Sequence, residues 1–296
     1  MPEEGIEPLK HDDILTYEEI IKLAQALISI GINNFKLTGG EPLARLGVPD
    51  LISRLKDLEG IGEVTLTTNG VLLEDQGKDL LDAGIDRINI SLDTMDRTKF
   101  KEITRRDKLD QVLRGIDLVL DQGFENLKIN TVPTCPLDLE DLGALVDLGK
   151  NRPIDIRFIK LMPIGLGDPD LGYGEKEILD IMEGFLGRAK AYEGKRGNGP
   201  ASYYSFDNYR SKIGFIDAID KKFCSSCNRI RLSSTGFLKL CLHYDIGENI
   251  RPYINDLETQ DLSGVLEEII YSKPLMHHMG EKIIRQENKN MNQIGG

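Results

Sequence analysis

The sequence predicts an α/β fold in which a parallel sheet of repeated strand and helix units is followed by a second, cysteine-bearing module. Three observations predict this fold. A glycine and strand phrase recurs along residues 31–162, helical periodicity separates the copies, and polar residues follow the predicted strands. Units of this kind form an open doubly wound sheet or a complete or partial barrel.

The predicted strands are the apolar and β-branched segments of the repeated phrase. The five copies are GINNFKLTGG, GIGEVTLTTNG, GIDRINISLD, GFENLKINTV and PIDIRFIKLMP, the last without its glycine. A glycine at that position can end the preceding helix in the left-handed conformation. Short β-branched runs bounded by such residues are typical of strands.

The predicted helices show apolar residues at helical spacing. The first stripe comprises Tyr17, Ile20, Ile21, Ala24, Leu27 and Ile28, and a later one comprises Leu109, Val112, Leu113, Ile116 and Leu120. Thr16 and Glu19 predict a capping box at the start of the first helix. Because no strand is predicted before this helix, we expect the printed chain to begin inside a unit.

Polar residues fall where the predicted strands end. They are Thr38 to Glu41, Thr67 to Gly70, Ser91 to Asp93, Asn130 and Met162 with its neighbours. In parallel α/β folds this edge holds the active site, although each group alone also suits an ordinary turn or cap. The glycine turn at Gly39 and Gly40 lets the backbone approach a ligand closely. It lacks the Lys-Ser or Lys-Thr of a phosphate-binding P-loop.

Composition limits the possible partners. The chain has 296 residues, 40% of them hydrophobic, and a formal net charge of -12. Such a charge repels nucleic acid and anionic membranes, so an anionic ligand needs a local group of Lys and Arg. No apolar run approaches the roughly 20 residues of a membrane span, and the first residues contain no apolar signal-peptide core. We therefore expect a cytoplasmic protein with neither nucleic acid nor membrane as a partner.

The cysteines predict a metal site. Cys224, Cys227 and Cys241 lie close together in the sequence, with a predicted hairpin around Thr235 and Gly236 between them. Three thiolates suit either a structural zinc, with His243 as the fourth ligand, or an iron–sulfur cluster with one iron left open. Both alternatives remain open from spacing alone. Cys135 stands apart and is predicted to be structural.

Two arginines follow the second cysteine of this motif. Arg229 and Arg231 alternate beside the predicted metal, where they can bind a phosphate through charge-assisted bidentate hydrogen bonds. The alternative is that they form a solvated strand face.

The motifs together resemble the radical S-adenosylmethionine (SAM) superfamily, and within it the GTP 3',8-cyclases of molybdenum cofactor biosynthesis. They are LTGGEPL, LTTNG, INISLD, KIN, RFI-x-LMP, FC-x-x-CNRIRLSS-x-G and a terminal Gly-Gly, in the family's order across almost the whole chain. The resemblance implies a partial (βα) TIM-like barrel at 1–162, a connecting segment at 163–210 and a C-terminal cluster- and substrate-binding module at 211–296. It also implies conversion of GTP to (8S)-3',8-cyclo-7,8-dihydroguanosine 5'-triphosphate by a 5'-deoxyadenosyl radical.

The resemblance assigns site residues by position. SAM would contact Gly39, Gly40, Glu41, Ser91 and Met162. GTP would contact Lys36, Thr67, Lys128, Arg229, Ile230 and Arg231. A C-terminal 4Fe-4S cluster would be held by Cys224, Cys227 and Cys241, and the tail Gly295 and Gly296 would thread back towards the active site.

The sequence departs from the family in three places. It contains no C-x3-C-x2-C motif for the SAM cluster, Lys36 replaces an Arg, and Lys160 stands where Glu is common. We therefore expect a barrel lacking its first strand and a truncated chain that is inactive alone. The alternative is a non-catalytic GTP-binding protein with a zinc or a cluster. The implied partners are GTP, a reductant, the next pathway enzyme (cyclic pyranopterin monophosphate synthase) and a second copy in a homodimer.

Overall fold

The computed structural model describes residues 10–165, 167–255 and 261–276. The strands are β1 (Phe35–Leu37), β2 (Val64–Thr68), β3 (Arg87–Ser91), β4 (Leu127–Thr131), β5 (Ile154–Ile159), β6 (Lys190–Tyr192), β7 (Ser202–Ser205), β8 (Ile213–Ile216), β9 (Arg231–Leu232), β10 (Phe237–Lys239) and β11 (Gly247–Asn249). The helices are α1 (Tyr17–Ser29), α2 (Val48–Lys56), α3 (Leu73–Asp82), α4 (Arg97–Thr104), α5 (Leu109–Asp121), α6 (Leu139–Asp147), α7 (Glu175–Leu186), α8 (Arg251–Asn255) and α9 (Leu262–Tyr271).

The five predicted strands are confirmed as β1 to β5. They belong to an eight-stranded sheet with the order β1-β2-β3-β4-β5-β8-β7-β6. Strands β1, β2, β3, β4, β5 and β8 run parallel to one another, whereas β7 runs antiparallel to β8 and β6 runs antiparallel to β7. The carboxyl ends of six strands therefore meet at one edge.

The two ends of the sheet meet, so the sheet is strongly curved. Asn198, in the loop after β6, donates through Nδ2 to Asn34 Oδ1 just before β1 at 3.2 Å and to Glu63 Oε2 at 3.0 Å. In a flat sheet of eight strands β1 and β6 would lie about 34 Å apart. This curvature is that of a partial barrel. The inward-facing side chains of the strands line its interior.

The helix predictions are confirmed at their starts and along their apolar faces. Thr16 Oγ1 accepts from Glu19 N at 3.1 Å while Glu19 Oε2 accepts from Thr16 N at 2.7 Å, which completes the capping box of α1. Gly31 follows α1 with φ 89° and Gly84 follows α3 with φ 82°, both left-handed. The α5 stripe faces the core, where Val112 and Ile116 are fully buried.

Helices α3 and α5 pack unusually closely on the outside of the sheet. A Cβ added at Gly115 of α5 would lie 2.7 Å from Leu73 Cβ and 3.0 Å from Glu74 N of α3. Glycine is therefore required where these helices cross, because a methyl group would overlap the other helix.

The segment predicted as a connection, 163–210, contains regular elements. It contains α7, β6 and β7, and β8, which we had assigned to the C-terminal module, pairs parallel with β5 in the barrel sheet. The apolar IGFI segment completes this side of the core, where Ile213 and Phe215 are buried. The functional division at 1–162, 163–210 and 211–296 stays a prediction.

The C-terminal part forms a small sheet with the order β11-β10-β9 and packs on α1. The predicted hairpin is confirmed, since β9 and β10 pair antiparallel and Gly236 has φ 91°. Leu262, Leu266 and Ile269 of α9 share an apolar cluster with Leu23 and Leu27 of α1. Among the described residues, no helix combines the length and apolar character that crossing a membrane requires.

Candidate functional site

The glycine turn after β1 is fixed by a single carboxylate. Glu41 accepts hydrogen bonds from Thr68 Oγ1 at 2.7 Å, from Asn69 N at 2.7 Å and from Leu43 N at 3.1 Å. Its side chain thus ties the end of β1 to the end of β2. The backbone at Gly39 and Gly40 faces open space, since a Cβ at either position would meet nothing within 4 Å. Glu41 therefore shapes the turn, and the glycine backbone is what a ligand can approach.

Ser91 and Met162 lie at the same edge in different surroundings. Ser91 ends β3, is exposed, and is in register with Asn130 of β4. Asn130, which the sequence placed at this edge without assigning it a ligand, has its Oδ1 buried without a hydrogen-bond partner, so this oxygen is an available acceptor. Met162 packs in an apolar cluster with Ile164 and Ala218.

A group of cations surrounds Lys36 inside the barrel. Lys36 keeps contact with solvent, yet enough protein surrounds it that burial is the first cause of its lowered pKa. Burial and the like charge of neighbouring arginines lower its pKa from 10.5 to about 7. These arginines are Arg157, Arg229, Arg87 and Arg231. The structure thus brings the predicted GTP residues Lys36, Arg229 and Arg231 together.

Arg157 belongs to this group and was missed by sequence reasoning. It lies on β5, is 7% exposed, and donates through Nη2 to Asn89 Oδ1 at 2.6 Å. Its Nε is buried without a partner, and burial lowers the pKa of its guanidinium. The available signal was an arginine within the strand IDIRFI, whose residues other than Asp155 and Arg157 are apolar, because buried charges are rare unless they are paired.

Lys128 occupies the next strand and is 4% exposed. Its ammonium donates to Tyr203 OH at 3.0 Å and to the Arg196 carbonyl, and Asp155 lies 3.6 Å away. Burial and the charge of Arg157, only partly offset by Asp155, lower the pKa of Lys128 from 10.5 to about 7. Lys128 also lines a cavity of about 250 Å³ near the amino ends of β3 to β5.

The other two predicted GTP residues contribute differently. Thr67 lies on β2 and its Oγ1 is 3.5 Å from Asn89 Nδ2, beside the Arg157 contact. Ile230 packs its side chain into the apolar cluster of the C-terminal part. The side chain of Ile230 therefore supports the C-terminal part, and its contact with GTP stays a prediction.

The cysteine motif forms a loop between the barrel and the small sheet. Cys224 begins a short 3-10 turn that ends before Cys227, and all three clustered thiols are half-buried. Arg231 interacts electrostatically with both Cys227 and Cys241, so both thiols lie near it. Within residues 10–165, 167–255 and 261–276, no three His, Cys, Asp or Glu side chains are arranged to hold a metal ion. The ligand assignment, including the alternative with His243, stays a prediction.

The surroundings of Cys227 nevertheless favour the deprotonated form of its thiol. Burial alone would raise the pKa of the Cys227 thiol. The Arg229 backbone N–H and the ammonium of Lys273 outweigh burial and hold this pKa below its usual value. A deprotonated sulfur is the form that binds metal. A set of three thiols with such a member suits zinc or an iron–sulfur cluster. Cys135 lies elsewhere, exposed, with its Sγ 3.2 Å from Tyr173 OH.

Comparison with known proteins assigns the family. A Radical SAM superfamily model matches residues 4–149, and a model described as Molybdenum Cofactor Synthesis C matches residues 154–279. The GTP 3',8-cyclase of Clostridium perfringens strain SM101 is 41% identical over 97% of this chain and 89% of its own length. That of Pelotomaculum thermopropionicum is 38% identical over 100% of this chain and 92% of its own. The chain belongs to the GTP 3',8-cyclase family of radical SAM proteins.

A solved structure agrees on the fold. Streptococcus suis SuiB, solved bound to S-adenosylmethionine, superposes with a TM-score of 0.62 at 15% identity, over 88% of this chain and 59% of its own. The family models and the relatives confirm the GTP 3',8-cyclase family inferred from motifs, and the SuiB superposition agrees with the predicted α/β fold. Radical SAM membership implies a 4Fe-4S cluster and SAM. The predicted tail, Gly295 and Gly296, lies outside the described residues.

Proposed function

We propose that this chain acts as a GTP 3',8-cyclase in molybdenum cofactor biosynthesis, with GTP bound inside the barrel. The observation that carries the proposal is the cationic group around Lys36 in a protein of net charge -12. Family membership points to the same substrate, because the curated relatives bear this name. A strongly acidic chain has no structural need to gather buried like charges at one place.

The phosphates of GTP would balance these charges. Repulsion from the protein's net charge is screened beyond about 8 to 10 Å at physiological salt, so groups within that radius decide whether an anion binds. Lys36, Arg157, Arg229 and Arg231 are such groups. The charged neighbours that act on Lys36 are all arginines, and together with burial they lower its pKa. A polyphosphate would supply the missing negative charge.

We propose that Cys224, Cys227 and Cys241 hold a 4Fe-4S cluster. Three protein thiolates leave one iron of a cubane open to an outside ligand, and the guanine base is suited to that position. Arg231, adjacent to Cys227 and Cys241, links this cluster to the cationic group. Gly295 and Gly296 would complete the site from the tail.

SAM would bind at the carboxyl edge of the strands. Gly39 and Gly40 offer backbone hydrogen-bonding groups there, with Glu41 holding the turn, and Ser91 and Met162 lie along the same edge. The printed residues include no C-x3-C-x2-C motif. Among the residues present, we assign SAM binding to this edge and GTP binding to the barrel interior.

We also propose the cellular context implied by this activity. A reductant and the next enzyme of the pathway, cyclic pyranopterin monophosphate synthase, would be its partners in the cytoplasm, and a homodimer is compatible with these roles. These assignments rest on the family activity and on the acidic composition.

Anaerobic GTP titration of the iron-loaded chain tests the site. Arg229→Ala and Arg231→Ala should each cost about 1.5 to 3 kcal/mol, the range for hydrogen bonds to charged groups. This is a loss of about ten- to a hundredfold in affinity. Arg231→Lys should recover only part of it, because lysine lacks the bidentate fork.

Two controls separate phosphate binding from cluster support. Arg210→Ala removes an arginine that pairs with Glu125 on the surface and should leave affinity unchanged. Guanosine lacks phosphates and should bind the variants nearly as well as the wild type. Equal losses for GTP and guanosine would reject the phosphate assignment. Stoichiometric zinc without iron uptake would favour the non-catalytic alternative.

A further inference from the structure

Lys273 makes three contacts with the cysteine loop from a distant part of the chain. Its Nζ donates to the Arg229 carbonyl at 2.7 Å and to the Cys227 carbonyl at 3.0 Å, and it lies 3.4 Å from Cys227 Sγ. These partners precede it by 44 and 46 residues. An ammonium has three N–H donors, and all three are directed to residues 227 and 229.

The position of Lys273 is fixed by helix α9. Leu266 and Ile269 bury that helix in the apolar cluster it shares with α1. After the helix, Lys273 N donates to the Ile270 carbonyl at 3.1 Å, which continues the last turn. Pro274 follows and restricts the backbone of the residue before it. The half-buried ammonium is therefore presented to the loop by a rigid support.

The contacts have both a geometric and an electrostatic effect. Two carbonyls of one loop are bound by one cation, so the backbone between Cys227 and Arg229 is held in a single orientation. A cation beside a ligating sulfur stabilises the more negative, reduced form of a cluster, since hydrogen bonds and charge near the sulfurs set its reduction potential. Groups that support metal ligands in this way commonly change metal affinity when removed.

We infer that Lys273 is a positioning residue for the cluster at Cys224, Cys227 and Cys241, and that it raises the reduction potential of that cluster. This inference rests on the proposed cluster. Its chemistry concerns the sulfur of Cys227 and the backbone of Arg229, and it assigns Lys273 no contact with GTP.

The test compares anaerobically reconstituted wild type with Lys273→Met and Lys273→Arg. Lys101→Met, on the exposed face of α4, is the matched control. Iron per chain, far-UV circular dichroism and a redox titration followed by electron paramagnetic resonance are measured. Wild type and Lys101→Met should hold about four irons per chain. Lys273→Met should bind less iron or titrate at a lower potential, and Lys273→Arg should recover most of the loss.

The expected change in potential corresponds to about tenfold in the relative stability of the reduced form, which is about 59 mV for a one-electron couple. Full iron loading of Lys273→Met at the wild-type potential would overturn the inference. Global unfolding of Lys273→Met would also overturn it, because the contacts confine its effect to one loop. Failure of the wild type to take up iron would instead reject the proposed cluster itself.

Discussion

Lys128→Met is expected to stabilise the nucleotide-free protein while weakening GTP binding. Lys128 is buried, and its pKa is lowered from 10.5 to about 7, first by burial and then by the charge of Arg157. The charged form of Lys128 is therefore energetically unfavourable in the folded protein. Methionine has similar length and no charge. Asp155 keeps its bidentate partner Arg196 at 2.6 and 2.9 Å, so the substitution leaves no unpaired carboxylate.

The magnitude follows from the difference between the folded and unfolded pKa. A shift of about 3.5 units corresponds to about 5 kcal/mol at pH 6, where Lys128 is charged in both states. Losing the hydrogen bonds to Tyr203 and to the Arg196 carbonyl costs about 2 kcal/mol. The net expectation is a gain of about 2 to 3 kcal/mol in the free energy of unfolding at pH 6.

The sign of the pH dependence is fixed by the lowered pKa. Between about pH 7 and 10.5 the unfolded chain binds more protons at this lysine than the folded protein, so wild-type stability rises with pH in that range. At pH 9.5 the destabilisation that arises from the lowered pKa of Lys128 falls to about 1.4 kcal/mol. The advantage of Lys128→Met should therefore shrink by about 3 kcal/mol between pH 6 and pH 9.5.

Urea unfolding followed by circular dichroism at pH 6, 7.5 and 9.5 measures this effect. Lys101→Met, an exposed lysine on α4, should change stability by less than about 0.5 kcal/mol at every pH. A variant less stable than wild type at pH 6 would refute the reasoning. So would an advantage that does not change with pH.

Three further predictions concern packing, the glycine turn and proton uptake. Gly115→Ala should destabilise the protein by about 1 to 3 kcal/mol in urea unfolding, because its Cβ would lie 2.7 Å from a carbon of α3. Gly143→Ala, whose Cβ would meet nothing nearer than 4.0 Å in α6, should instead stabilise by about 0.5 to 1 kcal/mol. Glu41→Ala should cost about 3 kcal/mol by removing three accepted hydrogen bonds, and Glu41→Gln less, which thermal unfolding can measure. GTP binding should raise the pKa of Lys36 and of Lys128, so that the complex takes up protons between about pH 7 and 9. Calorimetric titrations in buffers of different ionisation enthalpy measure this proton uptake. Identical binding heats in all buffers would contradict the prediction.

The sequence by itself determined the local structure of the barrel. Strands β1 to β4 followed from apolar runs preceded by glycine, β5 followed from the same phrase without its glycine, and the capping box at Thr16 and Glu19 was visible from spacing alone. The hairpin around Gly236 was equally local. These features are predictable because their physical causes, side-chain periodicity and backbone freedom, act within a few residues. The ordered motifs in turn identified the family.

Only the tertiary structure decided which residues share the site. Asn198 meets Asn34 across 164 residues and brings the two ends of the sheet together, and strand β8 joins β5 from beyond the connecting segment at 163–210. Arg157 and Lys273 became functional candidates through their surroundings. Arg157 is buried beside Asn89, to which it donates a hydrogen bond. Lys273 donates hydrogen bonds to a loop that lies 44 residues earlier in the chain. Such contacts depend on how distant segments pack, and side-chain type and local spacing carry no information about that packing.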